Sequence, residues 1–328
     1  MRAAQLYAIG LALLFALFCA SMMAGRVWLP PADIAHALFS KTDDLATLVV
    51  REARLPRAIL AILVGAALGL SGAVMQGLLR NPLADPGLLG ISSGAALGAV
   101  VAIYYGIAQI SALATPLFGL GGAFAAGALV FTLARGGGTL TLILAGAAIS
   151  SLTGAGLALA LNFAPSPFAA YEITSWLLGS LTDRSWDHVL LAAPFIFGGC
   201  ALLLTTGRAV DALSLGEIQA ESLGIDVART RIIAIIGTAC AVGAATAITG
   251  TIGFIGLVAP HLVRPFTKYQ PSKTLALSAI LGAILLLAAD IATRVLRTDA
   301  ELKLGVFTAL IGAPFFFWLV LYLRKRTP

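Results

Sequence analysis

The sequence predicts an all-α polytopic membrane protein of about ten transmembrane helices built as an inverted repeat, and three observations carry that prediction. Across 328 residues the composition is 59% hydrophobic and 11% charged, which excludes an ordinary soluble domain. Apolar runs repeatedly reach about 20 residues, enough to span about 30 Å of hydrocarbon. The 35 glycines suit helices that pack in lipid through small residues.

Hydrophobic runs and their breakers place helices at 5–25, 57–79, 88–105, 113–133, 139–161, 189–206, 230–250, 253–263, 274–296 and 304–323. The first follows Arg2 and has too long an apolar core for a signal peptide, so a retained helix is expected. The second holds the close-packing pair Gly65 and Gly69 and ends in a polar turn with Asn81, Pro82, Asp85 and Pro86. Irregular backbone is tolerated in a bilayer only where protein or a water-filled cavity satisfies its polar groups. That turn is therefore expected as a structural element beside a transport pathway. The fifth helix, Leu140 to Leu161, is rich in small and hydroxyl side chains, and the eighth is short.

The longest internal polar segment is 207–231, GRAVDALSLGEIQAESLGIDVARTR. Its helical stretch, Leu213 to Leu223, lies between the breakers Gly207 and Gly224 and carries Glu217 and Glu221 on one face. It reads either as a solvated connector or as a docking surface for a cytoplasmic partner. No further domain is visible, so 1–328 form one transmembrane domain.

Two parallels relate the halves. A Gly/Ala-rich helix follows an arginine at Arg57 and again at Arg231, and each leads to a Pro-containing break, NPLADP and APHLVRP. An odd number of helices separates the two starts, so the units run in opposite directions, the inverted-repeat pattern of many transporters.

An even number of helices puts both termini on one side, and Arg324, Lys325 and Arg326 assign that side to the cytoplasm. This topology leaves only twelve of the 21 Lys and Arg inside. The exceptions gather at Arg51, Arg54 and Arg57 and at Arg294, Arg297 and Lys303. They either snorkel at helix ends or do a job outside.

Asp85 and Asp290 are the acidic residues at or near membrane depth. Asp290 precedes Arg294 by four residues, the spacing of a helical pair. Histidines offer no relay: His36 and His188 fall in external loops, and His261 reads as a packing or capping residue. Cys19, Cys200 and Cys240 lie in apolar segments as packing residues. There is no metal-ligand cluster, no nucleophile with a base and no GxxxxGK[ST] loop for nucleotide phosphates, so no enzyme is expected. The pI of about 9.5 arises from scattered residues and does not point to nucleic acid. Energy for uphill transport must come from another polypeptide.

Five stretches, RLPR at 54–57, SGAVMQGLLRNPLADPGLLGISSGA at 71–95, LSLGEIQAESLGIDVAR at 213–229, GFIGLVAPHLVR at 253–264 and ELKLGVFTALIGAPFF at 301–316, resemble the FecCD-type permeases of ABC importers that carry ferric siderophores, haem or cobalamin. The resemblance implies a type II ABC importer permease of the inner membrane, working as a homodimer with two cytoplasmic ATPase subunits and a periplasmic substrate-binding protein. ATP and Mg would sit on the partner ATPase, with no cofactor on this chain. Arg54, Arg57 and Arg294 match arginines that meet glutamates of the binding protein, and reversing their charge is expected to weaken docking while sparing the fold. Glu217, Ala220 and Gly224 match the ATPase-coupling element. The translocation pathway would involve Gln76 and, on the fifth helix, Gly146, Ser150, Ser151 and Thr153, although hydroxyls there are equally well satisfied by their own backbone. Phe163, Phe168, Tyr171 and Trp176 near the mouth read as cargo-stacking groups or as interface anchors. Lys303 stands where the family has Pro. An ion-coupled secondary transporter is the alternative, and a membrane scaffold that transports nothing a third.

Overall fold

The computed structural model describes residues 3–25, 27–39, 44–296 and 302–324. Arg2, Arg297, Glu301, Lys325 and Arg326 lie outside them. Helix α1 (Ala3–Met23) is apolar apart from Gln5 and Ser21 near its two ends. A short helix, α2 (Pro31–Phe39), follows and buries Ile34 and Ala37. Helix α3 (Leu45–Leu48), capped by Asp44 on the Thr47 amide, continues through a π-helical turn, Val49–Arg54, into α4 (Leu55–Leu78).

The expected second helix thus begins at Leu45 and not at Arg57. Pro56, which has no N–H to donate and would interrupt a regular helix, falls inside it. The wide turn absorbs it: the Arg51 carbonyl, five residues before Pro56, instead accepts the Trp186 indole N–H at 2.9 Å.

A 3-10 turn, Pro86–Leu89, leads into α5 (Ile91–Tyr104). Then come α6 (Ala114–Ala134), α7 (Thr139–Asn162), α8 (Pro167–Leu177), α9 (Trp186–Thr205), α10 (Gly207–Leu213) and α11 (Glu217–Ser222). The chain closes with α12 (Val227–Thr249), α13 (Ile255–Val263), α14 (Pro271–Val295) and α15 (Leu304–Arg324). Among the described residues eight helices are long and apolar enough to cross a membrane. The shorter α5, 14 residues, and α13, 9 residues, complete the expected ten segments.

Hydrogen bonds between helix termini sort the molecule into two ends. At one, Arg294 of α14 bonds carbonyls at the close of α1, Arg57 of α4 meets Asp290, Ser180 meets Thr249, and Tyr104 meets Phe163. At the other, Thr139 meets Glu217, Arg231 meets Gly137, Ser272 meets Asp211, and Arg264 meets Gln76. Successive segments alternate between these ends, and Ala3 and Arg324 both fall at the Glu217 end.

The opposed halves are visible in α4 and α12, which run in contrary directions and are the most enclosed spans, 83% and 78% buried over their apolar windows. Each is followed by a break that closes on a left-handed residue capping the next helix, Gly90 (φ 71°) before α5 and Phe254 (φ 68°) before α13. The counterpart of the turn at 81–86 is therefore Gly250–Phe254. APHLVRP instead forms the end of α13 and the 3-10 turn after it. Along α4, Gly65 and Gly69 face Gly282 and Ser278 of α14, and Gly72 faces Gly256 of α13, so closely that a Cβ would overlap backbone atoms.

Two expected boundaries shift. Gly207 does not interrupt the chain but opens α10 straight after α9. Breaks in 207–231 fall at Gly216, whose φ of 119° separates α10 from α11, and at Gly224 after α11, as expected. The stretch after Phe163, read as an external loop, contains α8, capped by Ser166 on the Ala169 amide.

Candidate functional site

The arginines at the first end are bound into their own chain. Arg54 is buried, and its guanidinium donates to the carbonyls of Met22 (2.6 Å), Met23 (2.8 Å) and Val27 (2.7 Å). Carbonyls at a helix C-terminus lack partners within the helix, so Arg54 caps the exit of α1. Arg57 Nε lies 2.8 Å from Asp290 Oδ1, and its Nη1 donates to Thr182 at 3.3 Å. Arg294 donates to the carbonyls of Ser21 and Ala24, both at 3.0 Å, and its Nη2 stands 3.0 Å from Asp290 Oδ2. The wholly buried Asp290 thus joins α4 to α14, and Arg294 extends the link to α1.

The expectation that reversing these three charges would spare the fold is corrected by these contacts, because each reversal breaks a cap or an internal ion pair. The three side chains instead wall a cavity of about 590 Å³ that Glu52, Asp183 and Arg184 also line.

At the other end the three coupling candidates divide. Glu217 turns inward: Oε1 accepts the Thr139 hydroxyl at 2.5 Å, and Oε2 lies 2.7 Å from Arg231 Nη2. Ala220 is fully buried. Gly224 is exposed and adopts φ 80°, a conformation other residues enter with strain. The outward surface of this segment carries Leu215, Ile218 and Leu223, each more than 60% exposed, among the exposed polar residues Gln219, Glu221 and Ser222. Asp211 anchors its base by accepting from the Ser272 amide (2.7 Å) and hydroxyl (2.6 Å) at the start of α14.

The Thr139 hydrogen bond, assisted by Arg231, holds the Glu217 carboxyl below its ordinary range. A lowered folded value means the stabilisation is complete above the unfolded carboxylate range and is lost as pH falls through the lower one. Hydrogen exchange of the 213–223 backbone is therefore expected to be flat around neutral pH and to rise only in acid, apart from its intrinsic pH dependence. A rise between neutral and mildly basic pH would contradict this assignment.

On α7 the four candidates also separate. Ser151 is on the helix face left uncovered by this chain and Ser150 borders it. Gly146 instead packs on the Leu88 and Leu89 backbone, and Thr153 is buried with its hydroxyl on the Ile149 carbonyl at 2.8 Å. Gln76 is likewise no free lining residue: its Nε2 approaches the Gly256 and Leu257 carbonyls at 3.4 Å, and its Oε1 accepts from Arg264 at 2.5 Å. It edges a smaller cavity of about 270 Å³ shared with Arg80, Ser214 and Tyr269.

The polar turn is self-satisfied. Asn81 Oδ1 accepts from the Leu83 amide (2.9 Å) and Asp85 Oδ1 from the Gly87 amide (2.8 Å), while Pro82 lines the smaller cavity and Pro86 packs over Gly256. His261 stacks edge-on to Phe315, the packing role expected of it. The sequence reading missed Thr139 and Arg231 as partners of Glu217, and Arg57 as the second partner of Asp290. Only the i, i+4 spacing of Asp290 and Arg294 signalled any of these links.

The model of the FecCD transport family matches residues 13–322. The hemin transport system permease protein HmuU of Yersinia pestis is 40% identical over 292 residues, 88% of this chain and 87% of that one. The vitamin B12 import system permease protein BtuC of Vibrio cholerae is 36% identical over 91% of this chain and 88% of its own length. The Fe(3+) dicitrate transport system permease protein FecD of Escherichia coli is 38% identical over 84% and 86%. A solved metal-chelate type ABC transporter in an inward-facing conformation superposes with a TM-score of 0.85 at 32% identity, covering 97% of this chain and 99% of that one. A family match over nearly the whole length, relatives above one-third identity and a shared all-helical fold lead to one conclusion: this chain belongs to the FecCD transport family, as a membrane-spanning ABC transporter permease and not an enzyme.

Proposed function

We propose that the chain is the permease of a binding-protein-dependent importer that moves an iron-siderophore, haem or cobalamin type chelate across the inner membrane, driven by ATP hydrolysis on partner subunits. Two copies form the pathway, two cytoplasmic ATPase subunits dock at the Glu217 end, and a periplasmic binding protein docks at the Arg54 end. Both termini are then cytoplasmic. The cargo classes follow the names of the relatives.

The observation that carries this reading is the exposure of three large apolar side chains, Leu215, Ile218 and Leu223, on a short segment otherwise anchored through Asp211 and Glu217. Large apolar side chains exposed together on one short segment outside the spans suit a protein contact. At the opposite end the cavity sets Arg54, Arg57, Arg184 and Arg294 against Glu52, Asp183 and the buried Asp290, a small positive excess that would orient an acidic partner more than it would hold it. The ion-coupled alternative is disfavoured at both carboxylates of membrane depth, because Asp290 faces two arginines and Asp85 is held in its turn by the Gly87 amide.

Affinity purification in mild detergent tests the assembly. Recovery of an ATPase and a binding protein is expected, and titrating that binding protein with a ferric siderophore, hemin and cobalamin selects the cargo. Repeated isolation of the permease alone, with uptake that ignores ATP and collapses with a proton ionophore, would turn the assignment to the ion-coupled class. Gly224→Pro should leave the assembly intact but reduce uptake to background while hydrolysis continues, because proline fixes φ near about −65° and removes the N–H that bonds Glu221. Normal uptake by that variant would take the loop out of the mechanism.

A further inference from the structure

The cytoplasmic end of α7 is held in an unusual way. Three consecutive glycines, Gly136, Gly137 and Gly138, join it to α6, with φ 75° at Gly136 and open space where side chains would stand at Gly136 and Gly138. The helix has no side-chain cap at its N-terminus, since its N-cap is Gly138. Its first residue, Thr139, bonds Glu217 of α11 at 2.5 Å. Arg231 of α12 closes the arrangement, pairing with Glu217 at 2.7 Å and donating to the Gly137 carbonyl at 3.0 Å. Two turns further along, Gly146 rests directly on the Leu88 and Leu89 backbone.

We propose that Glu217, with Thr139 and Arg231, is a strut that carries movement of the partner-docked helix α11 to the first turn of α7, which pivots at Gly146 about the glycine hinge. This rests on the proposed docking of an ATPase on 207–231. The division of labour follows from stiffness. A triple-glycine connection transmits little force from α6, whereas a charge-assisted hydrogen bond is short and directional. The backbone contact at Gly146 leaves no slack for sliding there, so a push at Thr139 becomes rotation. The face that turns is the one bearing Ser151. Glu217 acts in this way as a positioning residue, turned away from the ATPase, while Leu215, Ile218 and Leu223 make the contact itself.

The test uses the assembled complex with its ATPase in lipid, the native cysteines replaced, and one permease copy spin-labelled at Leu140→Cys, about 9 Å along α7 from the Gly146 pivot, and at Leu204→Cys on α9, both exposed positions. Vanadate trapping is expected to shift the distance between labels by about 2 Å, the scale of helix movements in switching proteins. Thr139→Val should abolish the shift while the complex hydrolyses ATP at the parent rate, and Thr139→Ser should restore it. A merely structural role for Thr139 would not tie the shift to the hydroxyl in this way. A parent complex that hydrolyses ATP without moving α7, or a Thr139→Val complex that moves as the parent does, overturns the strut while leaving the docking intact. Failure of any ATPase to assemble overturns the docking and the strut together.

Discussion

Replacing Asp290 with alanine is expected to lower the unfolding free energy by about 3–5 kcal/mol, because removing one member of a buried ion pair strands its partners. The carboxylate is fully buried and faces two guanidinium groups, Arg57 at 2.8 Å and Arg294 at 3.0 Å, which themselves are only 18% and 10% exposed. Without it the two cations, with Arg54 nearby, repel one another at the join of α1, α4 and α14. The hydrogen bonds that Arg294 makes to Ser21 and Ala24 cannot offset this, since they are already made in the parent and nothing new is gained when the carboxylate is lost. Asp290→Asn keeps an acceptor but loses the charge and should fall between parent and alanine. Thermal unfolding in detergent reads the series. An Asp290→Ala protein as stable as the parent would mean that the bridge is not formed in the membrane.

The same cluster marks where sequence stops being informative. Asp290 and Arg294 were legible because one helical turn separates them, but Arg57 lies 233 residues from Asp290 and nothing in either local pattern pairs them. The arginine motif was found and its direction was not: the side chains point into the chain because the π-helical turn at Val49–Arg54 aims Arg54 at the open end of α1. Long spans were legible because length and hydropathy suffice for them. Helix α8 escaped because it is short and partly exposed, although Ser166 as cap and Pro167 as first residue are local start signals. Glu217 was placed on the coupling element by its motif. That it faces Thr139 depends on how α11 sits on α7, a tertiary fact that spacing within 213–229 does not encode.

Gly72→Ala should be the most damaging methyl that can be added to this chain, which makes it a test of how the two halves are joined. By helix propensity alone alanine in place of glycine would stabilise α4 by about 1 kcal/mol. Against that stands the Gly256 backbone: its carbonyl oxygen, carbonyl carbon and Cα are the three nearest atoms to the new methyl, all within 3 Å of it. Side chains could rotate aside, but backbone on a packed helix moves only with its element. Relief of the overlap must therefore push α4 from α13, stretching the Gln76 contacts to Gly256, Leu257 and Arg264 and lifting Pro86 from its seat on Gly256. Overpacking of this kind costs about 1–3 kcal/mol and sometimes more, enough to outweigh the propensity gain. In lipid the loss is not recovered by hydrophobic burial, because close van der Waals packing is itself the driving force. Gly198→Ala on α9, where a methyl meets nothing within 4 Å, gives the propensity gain without the clash. Unfolding measured side by side should move the two variants in opposite directions, Gly72→Ala down and Gly198→Ala level or up. If both rise together, α4 and α13 do not touch at Gly256, and the junction between the opposed halves must lie along the α4 and α14 glycines instead.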